Sequence, residues 1–436
     1  MIYNTGIIFS WISFALLIFL FFKNKDIYTE ILVRVNLFIQ IFLFCLLEIG
    51  LFLNDFSVSY IANYSAKSTP PLYKFASLWG SLDGSILLWN LCLSLFMYIY
   101  LKLYKDNSSD LDIKIFSLIM IFFVGYTVFS SSPFAGCIEL AVVGCSNSTI
   151  LPFQELVISN IGRGPNPLLQ NHPLMAIHPP MLYVGYVGMT MPFVAATSRL
   201  YSKSTDTNAW VEVAEKTTYI PWLFLTIGIT LGAAWSYEVL GWGGYWAWDP
   251  VENSSLMPWL TLTAFIHSSM IQEKRGMLKK WNFLLATSTY ILVILGTFIT
   301  RSGIISSVHS FTAENLGPVF FTFLSLLIIY TLFWFLKRKS YLNTPDKIDS
   351  FSSREGGFLY NNLILILMCF TIMWGTLFPI LSEAWDGNKI YVGASFFNQL
   401  NIPIGLVLLF LMGVGPLLSW NYTSKNVLLS RFKIPI

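Results

Sequence analysis

The feature that most constrains this chain is a repeating one. Apolar runs of about 20 residues, separated by short polar connectors, extend from MIYNTGIIFSWISFALLIFLFF at the start to about residue 420. That length matches a helix crossing a hydrocarbon core of about 30 Å. Lipid offers a peptide group no hydrogen bond, so a crossing segment must satisfy its own backbone, as a helix does. Charge agrees: only 11% of residues are Asp, Glu, Lys or Arg, against about 25% in soluble domains. The spacing predicts eleven spans, at 2–22, 31–53, 84–101, 113–132, 180–198, 219–236, 256–271, 281–300, 317–336, 359–379 and 402–420. The first run is too long for a secretory h-region and has no small-residue cleavage site, so it reads as a span. The expected fold is an all-α polytopic membrane protein, a single integral membrane domain over 1–436 with about eleven transmembrane helices.

Orientation follows from the Lys and Arg residues. The loops after odd-numbered spans, their flanks and the C-terminus hold 21 of the 26 basic residues, leaving Lys67, Lys74, Arg163, Arg301 and Lys389 opposite. That split fixes the parity of the spans. The poorly basic face is the periplasmic side of a bacterial inner membrane or the intermembrane side of a mitochondrial one. It carries the outer loops 133–179 and 301–316 and a tryptophan-rich loop at 237–258. The net charge of +3 comes from basic residues in short connectors, so no nucleic acid partner is expected; the partner of the apolar surface is the lipid bilayer.

Residues 241–259 read GWGGYWAWDPVENSSLMPW and hold four of the 15 tryptophans. A lone Trp at this depth is an interfacial belt residue. Here Trp242, Trp246 and Trp248 alternate with Gly and Tyr, and glycines such as Gly243 let a backbone approach a flat partner closely. The stretch ends in Asp249-Pro250, with Glu252 as its second acid; the residue before a proline is pushed to extended backbone. The pattern predicts an aromatic shelf for a large planar ligand. Two outer-face histidines flank it, His178 in IHPP and His309 in SVHSF. Neutral imidazoles on either side of such a shelf can supply both axial ligands of a haem iron. Zinc fits worse, because no Cys/His cluster of short spacing accompanies them. His267 lies inside span seven, where an ionisable group is a candidate for function; the alternatives are packing against a neighbouring Ser or Thr and ligation of a haem within the bilayer. Glu48 is a further acid inside a span, without an assigned role. Cys137 and Cys145 share an outer loop where a bridge can form, although spacing alone does not establish one. There is no CxxC, phosphate-cradling glycine loop or Ser-His-Asp arrangement.

WGGYWAWDPVENSSLMPW resembles the WWD signature of the haem-handling proteins of cytochrome c maturation. The longer pattern is similar to their CcmF haem lyase branch through PLYKFASLWGSLDGSILLW (71–89), NPLLQNHPLMAIHPPMLYVGYVG (166–188), HSSMIQEKRGMLKKW (267–281), GTFITRSGIISSVHSF (296–311), WGTLFPI (374–380) and VGASFFN (392–398). The smaller CcmC relatives lack these flanking blocks. The resemblance covers about residues 70 to 420 and implies a function. Haem b from a haem chaperone docks on the tryptophan-rich loop, with His178 and His309 on its iron. A thiol protein presents apocytochrome c, whose CXXCH thiols add to the vinyl groups. A second, membrane haem b uses His267. The chain departs from the family in three respects. GTLFPILSEAW has Ser382 and no His nearby where some members carry the second ligand of that membrane haem. It also stops soon after span eleven, where the alternatives are that the remainder is dispensable and that a separate chain completes the C-terminal part. His172, six residues before His178, competes with it as a ligand, and the HPP context favours His178. The Phe, Ile, Asn and Lys content fits an AT-rich genome such as a mitochondrial one. A haem carrier or exporter without ligation activity is the alternative function. A respiratory cytochrome b subunit needs paired histidines on facing spans, which the chain does not offer.

Overall fold

The computed structural model describes residues 1–104, 108–166, 172–202, 209–239, 244–305, 307, 316–344 and 350–433. In chain order these form α1 (Ile2–Phe22), α2 (Thr29–Leu53), α3 (Ser59–Tyr64), α4 (Pro71–Ala76), α5 (Leu82–Leu103), α6 (Asp110–Phe129), β1 (Gly136–Leu140), β2 (Cys145–Thr149), α7 (Leu174–Gly188), α8 (Thr190–Ser202) and α9 (Ala209–Val239). There follow α10 (Pro250–Arg275), α11 (Lys279–Ser302), α12 (Leu316–Arg338), α13 (Arg354–Asp386), α14 (Ala394–Val414) and α15 (Lys425–Phe432). Each expected span falls on helix. Among the described residues, nine helices are long and apolar enough to cross a membrane. The fold is that of an all-α polytopic membrane protein.

The other two expected spans differ from simple apolar rods for identifiable reasons. Span five is divided into α7 and α8 at Met189, next to Gly188. Span seven is α10, whose buried residues include Asn253, Ser254, Ser255, Thr261, Ser268, Ser269 and Gln272. Its neighbours answer them. Asn282 of α11 donates to the Ser268 carbonyl at 3.1 Å and to Gln272 Oε1 at 2.8 Å, and Thr289 donates to Thr261 at 2.8 Å. Between helices in lipid, packing and such bonds replace the expulsion of water as the source of association.

Helix ends follow local chemistry. Ser109 and Asp112 form a capping box on α6, Ser353 caps α13 by accepting from the Gly356 N–H, and α10 ends at Gly276 in the left-handed region, φ 65°. Such caps satisfy the backbone groups a helix leaves unpaired at its termini.

Two compact units divide the chain: Met1–Val194 with Leu223–Tyr245, and Ala195–Trp222 with Trp246–Ile436. In the first, α1, α2, α5, α6 and α7 pack together, and Trp89 stacks on Phe123 at 5.0 Å. A polar knot ties three of these helices. Ser13 donates to Asn36 at 2.7 Å, Asn36 to Ser94 at 3.0 Å and Gln40 to Ser13 at 2.8 Å. Glu48 is buried on α2. The loop after α6 carries a feature absent from the span pattern, an antiparallel hairpin of β1 and β2. A disulfide closes it between Cys137 and Cys145, Cα atoms 5.8 Å apart. In the second unit, α10 packs on α11 and α13, and α13 on α14.

Candidate functional site

His178 sits in the second turn of α7, ahead of Pro179 and Pro180, both inside the helix. A proline has no N–H, so the Met175 carbonyl, four residues before Pro179, loses its helical donor. The indole of Trp79 replaces it, donating to Met175 O at 3.1 Å. The block around Trp79 and the IHPP block are therefore parts of one construction.

The imidazole itself is seated on the C-terminal half of α9. A Cβ built on Gly232 would lie 2.6 Å from His178 Cε1. One turn away, a Cβ on Gly228 would lie 2.7 Å from Leu182 Cδ2, and a Cβ on Gly185 would lie 2.7 Å from Leu225 Cβ. Residues 178, 182 and 185 share one face of α7, and 232, 228 and 225 share one face of α9. The helices thus run antiparallel in fixed register, a side chain meeting a glycine at each step. This is a GxxxG contact, Gly228-Ile-Thr-Leu-Gly232, in which missing side chains let helices approach. The sequence displayed it plainly, but not which helix it would face. His178 Nδ1 lies 2.8 Å from the Gly228 carbonyl, and Trp235 lies against the ring at 5.7 Å, tilted by 57°. A carbonyl only accepts, so Nδ1 carries the proton and the Gly228 carbonyl holds that edge of the ring.

His172 is different. Its Nδ1 accepts from the Leu174 N–H at 3.2 Å, and its Nε2 lies 2.5 Å from Glu238 Oε2. Both ring nitrogens are engaged, one by backbone and one by carboxylate. Of the two neighbouring histidines, His178 is the one whose Nδ1 is held by a main-chain carbonyl.

Trp242, Gly243 and His309 lie outside the described residues. The rest of the tryptophan-rich stretch is well defined by its partners. α10 begins at Pro250, eight residues ahead of Pro258, because Asp249 and Glu252 form a capping box around it. Asp249 accepts from the Val251 N–H at 3.0 Å, and Glu252 accepts from the N–H groups of Ala247 at 2.9 Å and Asp249 at 3.1 Å. Residues 250–258 are accordingly helix, and the acids of the motif hold its backbone. Asp249 also accepts from the Ser307 hydroxyl at 2.6 Å, which ties down the chain two residues before His309.

Trp248 adopts a left-handed backbone, φ 59°, a conformation costing a non-glycine residue about 1–2 kcal/mol. Three contacts hold it there. Its ring stacks on Phe397 at 5.1 Å and 11°, its Nε1 donates to Asn398 at 2.8 Å, and Asn253 Nδ2 donates to its carbonyl at 3.0 Å. Asn253 also donates to Thr376 at 3.0 Å. The blocks WGTLFPI and VGASFFN therefore supply the support of Trp248. Trp246 and Trp248 meet edge to face, 5.9 Å apart at 89°, the arrangement their quadrupoles favour. Of the expected shelf, these two indoles meet at a corner, and the third, Trp242, lies outside the described residues. Among the described residues, Trp246 Nε1 is buried and has no hydrogen-bond partner.

His267, on α10, stacks on Phe358 of α13 at 5.5 Å and 18°. Its Nδ1 lies 2.9 Å from Asn361 Nδ2, so the partner is an amide and not the Ser or Thr of the packing alternative. An amide can present either its N–H or its oxygen. Turned one way it leaves the proton on Nε2; turned the other it leaves Nε2 with the lone pair that a metal needs. Ser382 of α13 accepts from the Ile390 N–H at 2.9 Å. Among the described residues no group of three or more His, Cys, Asp or Glu could hold a bare metal ion.

Comparison with known proteins gives these features a context. Residues 79–306, just over half of the chain, match the cytochrome C assembly protein family. The chain is 37% identical over 369 residues to the cytochrome c-type biogenesis protein CcmF of Haemophilus influenzae, covering 84% of this chain and 54% of that protein. It is 39% identical over 391 residues to the cytochrome c-type biogenesis protein CycK of Rhizobium meliloti, covering 87% and 54%. A solved structure described as cytochrome c heme lyase CcmF superimposes with a TM-score of 0.75 at 30% identity, covering 100% of this chain and 64% of that one. The chain spans about half the length of the curated relatives it matches.

Proposed function

We propose a function from one premise: the chain belongs to the cytochrome C assembly protein family. The function is haem ligation in cytochrome c maturation. The chain holds haem b as a substrate while the two thiols of an apocytochrome CXXCH peptide add to its vinyl groups. Each addition forms a carbon–sulfur bond and a carbon–hydrogen bond at the expense of the thiol S–H bond and one vinyl π bond, so no atom leaves. The protein's contribution is position. Holding thiol and vinyl together turns a bimolecular encounter into a nearly unimolecular step.

The observation that carries this reading is the hold on His178: Nδ1 donates to the Gly228 carbonyl at 2.8 Å, so Nε2 is the nitrogen proposed for the iron. His309 is the proposed second ligand, and Trp242, Gly243, Trp246, Trp248, Asp249 and Glu252 make up the proposed docking loop. Within it Asp249 and Glu252 act by fixing the backbone. A haem chaperone delivers the substrate and a thiol protein presents the apocytochrome. The proposed location is the inner membrane of a mitochondrion or bacterium, with the tryptophan-rich loop on the intermembrane or periplasmic side. A membrane haem b would take His267 as a ligand, its imidazole oriented by Asn361.

The test is complementation of cells that lack the protein. His178→Ala or His309→Ala should lower holocytochrome c at least 100-fold by haem staining, with haem-loaded chaperone accumulating. Normal holocytochrome in either variant would defeat the ligand assignment. An empty chaperone beside unmodified apocytochrome would point to the carrier function instead.

A further inference from the structure

The α7–α9 contact has a property that the ligand assignment does not require. Helices can be held together by glycines anywhere along their faces. Here one glycine of the pair meets the imidazole and the other supplies the carbonyl that the imidazole binds. A Cβ on Gly232 would come within 2.6 Å of His178 Cε1, 3.2 Å of Nδ1 and 3.3 Å of Nε2, so three ring atoms lie over this one position. The carbonyl of Gly228, one turn earlier, receives the ring proton at 2.8 Å. In an α-helix that carbonyl also faces the N–H of residue 232, and its two lone pairs accommodate both.

We infer that Gly228 and Gly232 are positioning residues for the haem ligand: the missing side chain of Gly232 sets the depth of the His178 ring, and the Gly228 carbonyl sets which nitrogen faces the iron. This rests on the proposed ligand role of His178. Both glycines act through the imidazole. Orientation by a carbonyl behind a ligating imidazole is a general means of tuning metal sites, and its loss typically weakens metal binding about 10- to 100-fold. A backbone carbonyl has an advantage over a side chain in this role, because it cannot rotate away from its helix.

The geometry separates two kinds of substitution. Alanine at Gly232 collides with the end of a side chain, so the imidazole gives way and the helices need not. Alanine at Gly185 collides with Leu225 Cβ, N and Cα at 2.7, 2.8 and 2.9 Å, and there the backbones must part. Gly232→Ala is therefore the selective probe. Gly413, where a Cβ would meet nothing within 4 Å, gives the control substitution.

Full-length protein in lipid nanodiscs would be titrated with haem and followed by absorption. Gly232→Ala should weaken haem binding about 10-fold and shift the spectrum away from the histidine-ligated form. Added imidazole should restore that form, and the thermal transition should stay with those of wild type and Gly413→Ala. An unchanged spectrum and affinity in Gly232→Ala would overturn the positioning role, provided His178→Ala alters both. If His178→Ala also changes nothing, the ligand assignment itself fails. A measurement on the unsubstituted protein does not depend on any variant folding. Nitrogen NMR of haem-free, 15N-histidine-labelled protein should show a neutral ring protonated at Nδ1, in a signal that His178→Ala removes. A ring protonated at Nε2 would overturn the proposal.

Discussion

His178 and His267 are both histidines on apolar helices, and each has Nδ1 within 2.9 Å of a partner. The partners differ in kind. His178 faces a main-chain carbonyl, fixed in a helix and able only to accept. His267 faces the Asn361 side chain, which reverses its role by turning through half a circle. The first environment dictates a tautomer; the second permits two. Their packing differs in the same sense. His178 rests on a glycine, with the helix backbone directly beneath it, whereas His267 lies face to face with the Phe358 ring at 5.5 Å. A site built from backbone holds its orientation before a ligand arrives. A site built from side chains acquires it on binding.

The largest expected effect breaks the rigid half of this contrast. Gly185→Ala forces its Cβ against the Leu225 backbone, and overpacking of this kind costs about 1–3 kcal/mol. The thermal transition should fall, and the His178 nitrogen signal should lose its single protonated form. Retention of both would mean that α7 and α9 are not locked as described. A smaller effect sharpens the adaptable half. Asn361→Ala removes the Nδ1 partner of His267 for about 1 kcal/mol. The His267 nitrogen signals should change while those of His178 do not, and a change at His178 would show the two environments to be coupled. The smallest effect concerns the start of α10. Asp249→Ala removes half of a capping box, worth about 1 kcal/mol. It should alter Trp248 fluorescence and leave His267 untouched, because 18 residues of helix at 1.5 Å each put about 27 Å between them. A His267 signal that moves with Asp249 would argue for transmission along α10.

How far these features could be read from sequence depends on how local their causes are. The spans were legible because lipid leaves a crossing backbone one choice, whereas the helix start at Asp-Pro-Val-Glu, 249–252, fell inside the expected loop 237–258. The break at Met189 was less legible than the spans. Prolines 179 and 180 drew attention to the start of the helix, yet the helix runs through both, with Trp79 donating to the carbonyl they leave unpaired. The glycine register illustrates the remaining difficulty. GITLG at 228–232 signals a close helix contact, but its partner lies about 50 residues earlier and nothing local names it. The perpendicular setting of Trp246 and Trp248 has the same origin, since Phe397 and Asn398 fix Trp248 from 150 residues away. The Cys137–Cys145 bridge, left open by spacing, depends on the turn that pairs β1 with β2.

The capping box on α10 has a consequence for anything negatively charged that approaches it. The start of a helix ordinarily attracts anions, through unpaired amides and the positive pole of its dipole. At residue 249 that attraction is already neutralised from within, by two carboxylates on the amides of Ala247, Asp249 and Val251. An incoming acidic group finds like charge there and is turned aside. The polarity of this helix therefore screens which edge of a two-faced guest may point toward it, and it favours the uncharged one.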